Sequence, residues 1–293
     1  MRQTSGAAAL HLGTLNRGSR ETLQREIDRR RSGWQAKAMK QVGRLLVPLA
    51  AVVLLLIIWQ LYSTLSGAGN DLLPAPSRVF SAGWADRSSL WDNLLPTVRA
   101  VLLGFSLSLL FAFLLSIILD RSQSVRRALM PVLIGSQTLP IIVLAPLVVI
   151  WFGFGIGPKV LLVALVTFFP LLVGLLEGYG STQRDAMTLM KTMGAGWWTT
   201  YRLLRLPSAL PSFFTGLRIS ITYAVVAAIF AEYAGAELGL GIYMQSAKAS
   251  FRTDLVLAAV LISAALTLCL YALTFALQRL IMPWYAQSRA GSQ

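Results

Sequence analysis

Six stretches of this chain are long, apolar and almost free of charge, and no other feature limits its fold as strongly. They cover residues 45–62, 100–119, 128–157, 160–176, 211–235 and 255–278. About 20 apolar residues in a helix cross the hydrocarbon core of a bilayer, so each stretch is long enough to span it. Lipid offers backbone groups no water, so every span has to be helical. The expected fold is all-α, a polytopic membrane protein with six transmembrane helices. The third stretch has no ionisable residue but contains Pro131, Pro140 and Pro146. It is expected to tilt or kink, with Pro140 and Pro146 either freeing backbone groups beside a translocation path or simply bending the helix. Only the fifth carries ionisable groups, Arg218 and Glu232. Arg218 lies near one end and can snorkel to the headgroups.

Composition narrows the function. The chain has 293 residues, 56% of them hydrophobic and 13% charged, more apolar surface than one soluble core can hide. Its net charge of +14 would suggest nucleic acid in a soluble protein. Here the basic residues follow the loops: alternate sides of the six spans carry 19 and 6 Lys/Arg. That bias places both termini and the loop 177–210 in the cytoplasm, makes membrane lipid the surrounding medium, and leaves no nucleic-acid partner. The single cysteine, Cys269, lies in an apolar run and cannot form a disulfide within the chain. The single histidine, His11, lies in the polar segment 1–44, so zinc sites and histidine relays fail on ligand count. That segment reads as a basic cytoplasmic tail, not a cleavable signal peptide. Residues 45–285 form the transmembrane domain, and 286–293 a short cytoplasmic tail.

The loop 177–210 is unusually elaborate. TQRDAMTLMKTM places Met187, Met190 and Met193 at helical spacing. Gly194-Ala195-Gly196 turns the chain. WWTTYRLLRL is expected to form a second short helix bearing Trp197, Trp198 and Tyr201, and Pro207 and Pro211 to fix the return to the membrane. Exposed tryptophans on a short helix serve either as anchors in a partner's groove or as an interfacial aromatic belt.

GAGWWTTYRLLRLPSALPSFFTGLRIS resembles the cytoplasmic loop of permease subunits of bacterial ABC importers, whose pattern runs EAAxxxGASxWxxFxxxxLPxxLPxxxxGL. Gly194, Ala195, Trp198, Tyr201, Leu206, Pro207, Leu210, Pro211, Gly216 and Leu217 fall in register. Thr188, Leu189 and Met190 stand where the acidic-start triplet would be. The resemblance covers about residues 45–285. It implies a type I ABC importer permease in the bacterial inner membrane whose coupling loop (Gly194, Ala195, Trp198, Tyr201, Leu206, Pro207) docks into a groove on an ABC ATPase subunit. It also implies a second permease copy and an external solute-binding protein. TLPIIVLAPLVVIWFGFGIGPKVLLVALVTFFPLLVGLLEG is similar to the subgroup serving sulfonate, taurine, nitrate and pyrimidine-type solutes, and GLGIYMQSAKASFRTDLVLAAVLI to the branch for thiamine's pyrimidine precursors.

The residues agree on one exclusion. A phosphate-cradling loop needs G-x-x-x-x-G-K-[ST], and no Gly-Lys pair occurs in the chain. If ATP drives transport, another chain must supply its site; the resemblance implies that ATP-Mg sits on a partner subunit and that this chain binds no cofactor and catalyses no covalent reaction. Within the spans, Glu232 is the sharpest candidate for a path or gate residue, because an intramembrane carboxylate costs roughly 2.5–3.5 kcal/mol on insertion scales. Its position near the outer end of the fifth span lowers that cost. Gly239, in the following outer loop, is a candidate gate residue. WFGFGIGPK reads as an outer turn between the third and fourth spans. A secondary transporter driven by an ion gradient is the alternative. It would show internal repeats and paired intramembrane ionisable groups.

Overall fold

The computed structural model describes residues 47, 50–65 and 73–283; the N-terminal tail 1–44 and the C-terminal tail 286–293 lie outside these. All regular structure among the described residues is helical. We number the helices α1 (Ala50–Leu65), α2 (Pro76–Ala85), α3 (Arg87–Arg121), α4 (Gln123–Ser136), α5 (Ile141–Phe152), α6 (Ile156–Gly180), α7 (Arg184–Thr192), α8 (Trp197–Ala234), α9 (Leu240–Ala249) and α10 (Thr253–Ile281). Residues 1–67 and 68–293 form two compact units. The first contributes α1, an apolar helix matching the first expected span.

In the second unit α3, α6, α8 and α10 are each long and apolar enough to cross a membrane, and α4 with α5 makes a fifth span if counted together. The six expected spans thus map onto these helices and the shorter α1, although the described residues alone do not establish six crossings. The third expected span is not one helix. α4 and α5 meet at 97°, with the break over residues 137–140. Pro140 lacks an N–H and starts the new helix at its N-cap, so the chain restarts there rather than bending.

α6 and α8 form the central pair. Their backbones approach closely because Gly174 and Gly178, four residues apart on α6, carry no side chain. A Cβ at Gly178 would lie 2.5 Å from Ala209, and one at Gly174 would lie 2.9 Å from the Ser212 carbonyl. Small residues at such spacing let membrane helices associate by van der Waals packing, where no hydrophobic gain separates protein from lipid. The Ser220 hydroxyl adds a hydrogen bond to the Thr167 carbonyl at 2.8 Å. α3 lies along α6; α9 and α10 cover α8; α2 rests on α10. Leu171, Leu175, Phe214 and Leu217 fill the core near the loop 181–196, and Val101, Val163, Ala224 and Ala228 fill it further along.

The outward surface stays apolar: Leu102, Phe111, Ile150 and Leu268 are all about half exposed or more. In water this would drive aggregation; in lipid it is the expected face. Arg218 does not snorkel. Its guanidinium turns to α10, donates to Gln278 and stacks 4.0 Å from the Phe275 ring.

Candidate functional site

Three places in the second unit carry polar or strained features that packing alone does not require. The first is the end of the bundle where α6 gives way to α7. α7 stops at Met193, and Gly194 follows with φ +73°. The Ala195 amide bonds back to the Met190 carbonyl at 2.9 Å and the Gly194 amide to the Lys191 carbonyl at 3.0 Å, the paired bonds of a Schellman cap. A Cβ at Gly194 would meet nothing within 4 Å, so glycine is needed there for the left-handed backbone and not for space.

The second short helix of this loop is not separate. Trp197–Thr200 runs through a π-helical turn, Tyr201–Arg205, into Leu206–Ala234, making one 38-residue helix, α8. Pro207 and Pro211 do not end or redirect it. Pro207 sits in the first turn after the π-segment, where the register has already changed. The expected docking residues divide accordingly. Trp198 is 59% exposed, and Leu189, Met193 and Leu203 are likewise exposed beside it. Pro207 is exposed, Ala195 and Leu206 are half-buried, and Leu206 packs on the core. Tyr201, expected on the exposed face, is interior at 1%. Its ring stacks against Trp197 and Trp198. Its hydroxyl lies 2.7 Å from that of Tyr179, which lies 3.0 Å from the Ser116 hydroxyl. This buried chain joins α8, α6 and α3. Arg205 forms an ion pair with Asp120, and Arg121 lies 5.5 Å over the Trp197 ring.

The second place is the other end of α8. Glu232 is fully buried, two residues before the end of α8. Its carboxylate accepts from the Thr97 hydroxyl at 2.8 Å and from the Gly241 amide at 2.8 Å. Gly239, the N-cap of α9, has no side chain to cap that helix, and Glu232 does so from a different helix. A Cβ at Gly239 would lie 2.2 Å from the Glu232 carboxyl carbon, and φ there is +145°. The clasp continues outward. Thr97 accepts from the Leu240 amide, Asn93 from the Gly239 amide, and Lys159 donates to the Leu238 carbonyl at 2.9 Å. Lys159 is therefore not in an outer turn but buried in the first turn of α6. At the rim Tyr243 donates to Asp86 at 2.6 Å and Ser89 to the other oxygen at 2.7 Å. The bond from Tyr243 holds the Asp86 carboxyl below the usual carboxylate range despite its burial. Burial and the Asp86 bond both push the Tyr243 phenol up. So the geometry assigns Glu232 and Gly239 to a lock between α3, α8 and α9. Thr97, Asn93 and Lys159 complete it. In the sequence these three lie in stretches that read as outer loops, and only their polarity beside long apolar runs marks them.

The third place is the break between α4 and α5. Pro140 and Pro146 are both exposed, Pro146 within α5. Beside the break lies a cleft of about 360 Å³, lined in part by Ser136, Gln137, Val166, Pro170 and Tyr223. Neither Pro140 nor Pro146 lines it. A second cleft of about 340 Å³ shares Pro170 and runs toward the α7 end past Gly174, Ser212 and Thr215 to Glu177. Among the described residues no cluster of His, Cys, Asp and Glu could hold a metal ion.

Comparison with known proteins places this geometry in context. The family model for the binding-protein-dependent transport system inner membrane component matches residues 104–287. The formylaminopyrimidine transport permease protein of Halalkalibacterium halodurans is 36% identical over 84% of this chain and 98% of its own length. The taurine transport system permease protein of Escherichia coli is 30% identical over 90% of this chain and 98% of its own. A chain in the crystal structure of an amino acid ABC transporter with histidines superposes with a TM-score of 0.55 at 14% identity, covering 68% of this chain and 97% of that one.

Proposed function

The chain belongs to the family of binding-protein-dependent transport system inner membrane components, and from that membership we propose that it is the permease subunit through which an ABC importer moves a small polar solute. A pyrimidine precursor is the favoured solute, supported by the relative that carries formylaminopyrimidine. Two copies pair around the path in the cytoplasmic membrane, with both termini inside. An external binding protein delivers the solute. ATP-Mg is bound and hydrolysed by a separate ATPase subunit, and this chain supplies no covalent chemistry. Its task is to pass between inward-open and outward-open states as the ATPase cycles.

One observation carries the reading. Leu189, Met193, Trp198 and Leu203 are exposed together around the Gly194 turn, at the end of the bundle where Arg184, Lys191, Arg202 and Arg205 mark the cytoplasmic side. Large apolar side chains outside the spans need a protein to cover them, and an exposed aromatic at a helix end is what a groove on a partner can hold. Gentle purification from the native membrane is expected to bring an ATPase subunit along in near-equal amount. Trp198→Ala is expected to weaken that association by about 2 kcal/mol. If no ATPase co-purifies under conditions that preserve other such complexes, the reading fails.

A further inference from the structure

The two clefts along α6 and α8 form one track. On α6, Val166, Pro170, Gly174 and Glu177 follow one another at helical spacing; on α8, Tyr223, Ile219, Thr215 and Ser212 do the same. The track starts beside the break between α4 and α5, a bent pair apolar enough to pass together as one span. Non-helical backbone inside a membrane is tolerated only against protein or a water-filled cavity. It ends at the cytoplasmic end of α6. Tyr223 is 51% exposed in the middle of a span, and among the described residues neither its hydroxyl nor the Gln137 side-chain amide makes a hydrogen bond. A phenol and a primary amide of this kind can stack on a flat ring and exchange hydrogen bonds with it.

The charge along the track is one-sided. The upper cleft is lined by neutral residues alone. The lower cleft has a single charged residue, the exposed carboxylate Glu177, and no basic one. Arg218 is turned away to α10, and Lys159 is held in the clasp at the other end of the bundle. An anion entering these clefts would leave water for a low-dielectric wall whose lining holds no cation, and would pass the Glu177 carboxylate before it reached the basic residues of the loop 181–205.

We infer that this track is the inner half of the translocation path and that its solute is an uncharged or cationic flat heterocycle, not a simple anion such as a sulfonate, nitrate or bicarbonate. This rests on the transport reading above and narrows it. The test uses the intact complex with its ATPase and binding protein, in membrane vesicles. Cys269 is the chain's only cysteine, so Cys269→Ser gives a clean parent. Ser212→Cys and Thr215→Cys are then labelled with methanethiosulfonate reagents bearing either a trimethylammonium or a sulfonate group. After correction for their rates with a free thiol, the cationic reagent is expected to react about tenfold faster, and Glu177→Gln to remove most of that bias. Hydroxymethylpyrimidine is expected to slow labelling and an alkanesulfonate to leave it unchanged. Equal rates, a faster anionic reagent, or no labelling at either site while ATP-driven uptake is intact would overturn the inference. Absence of ATP-driven uptake in the Cys269→Ser parent, with the labelling bias present, would overturn the transport reading itself.

Discussion

A carboxylate taken out of water is tolerated only where its oxygens accept hydrogen bonds, and both Glu232 oxygens do so, from Thr97 and Gly241. Glu232→Ala would leave the buried Gly241 amide without an acceptor and α9 without its cap. The expected loss is about 2 kcal/mol or more, read as a lower unfolding temperature of the purified complex. Glu232→Gln keeps a carbonyl oxygen and the same volume, so its loss is expected to be clearly smaller. Equal losses would show that the charge, and not the hydrogen-bond geometry, holds the clasp. From sequence, Glu232 stood out because it is acidic among Ala, Ile and Tyr. Its partner Thr97 did not, since it lies 135 residues away and a lone threonine carries no signal. Gly239 was singled out as a candidate gate. The reason for a glycine there, the Glu232 carboxyl 2.2 Å from its missing Cβ, exists only once the helices are packed.

At the scale of elements, the hydrophobic runs located the long helices well, because charge-free length is a local property. What escaped them depends on neighbours. The run 128–157 has no charge to mark the break, and only three prolines hint at it; just one of them, Pro140, sits where the helix restarts. The loop 177–210 read as two short helices because Pro207 follows the second. The π-turn at Tyr201–Arg205 lets the backbone pass the proline without stopping. Because Trp197–Thr200 is continuous with the long helix, the Gly194 turn is the joint between α7 and α8, and under the proposed function it would carry the docking segment. Gly194→Val would force a β-branched residue to φ +73°, straining the turn and re-aiming α7 against Trp198. We expect ATP hydrolysis to continue in this variant while solute uptake per ATP falls several-fold. Normal uptake with a normal ATPase complex would show that the turn transmits nothing.

Taken whole, the second unit has one rod running through it. At 1.5 Å per residue, α8 is about 57 Å long, more than the roughly 40–45 Å of a bilayer with its headgroups. One end of this rod carries Trp198, and the other holds the Glu232 clasp. The Ser116–Tyr179–Tyr201 hydroxyl chain ties α3 and α6 to the same rod. If the proposed ATPase docks at the Trp198 end, transport would need ATP and no ion gradient. Solute uptake by whole membranes is expected to survive a protonophore and to stop when ATP is depleted. The opposite pattern would return the gradient-driven transporter to first place.

The clasp also sets a schedule for biogenesis. During synthesis α3 enters the lipid long before α8, so Thr97 and Asn93 wait for an acceptor and a backbone that do not yet exist. When α8 emerges, Glu232 finds the Thr97 hydroxyl already in place, but its other oxygen stays without the Gly241 amide until the next nine residues have followed. A chain halted between those two moments would hold a carboxylate with one oxygen unsatisfied, so the clasp closes only once α9 has followed α8.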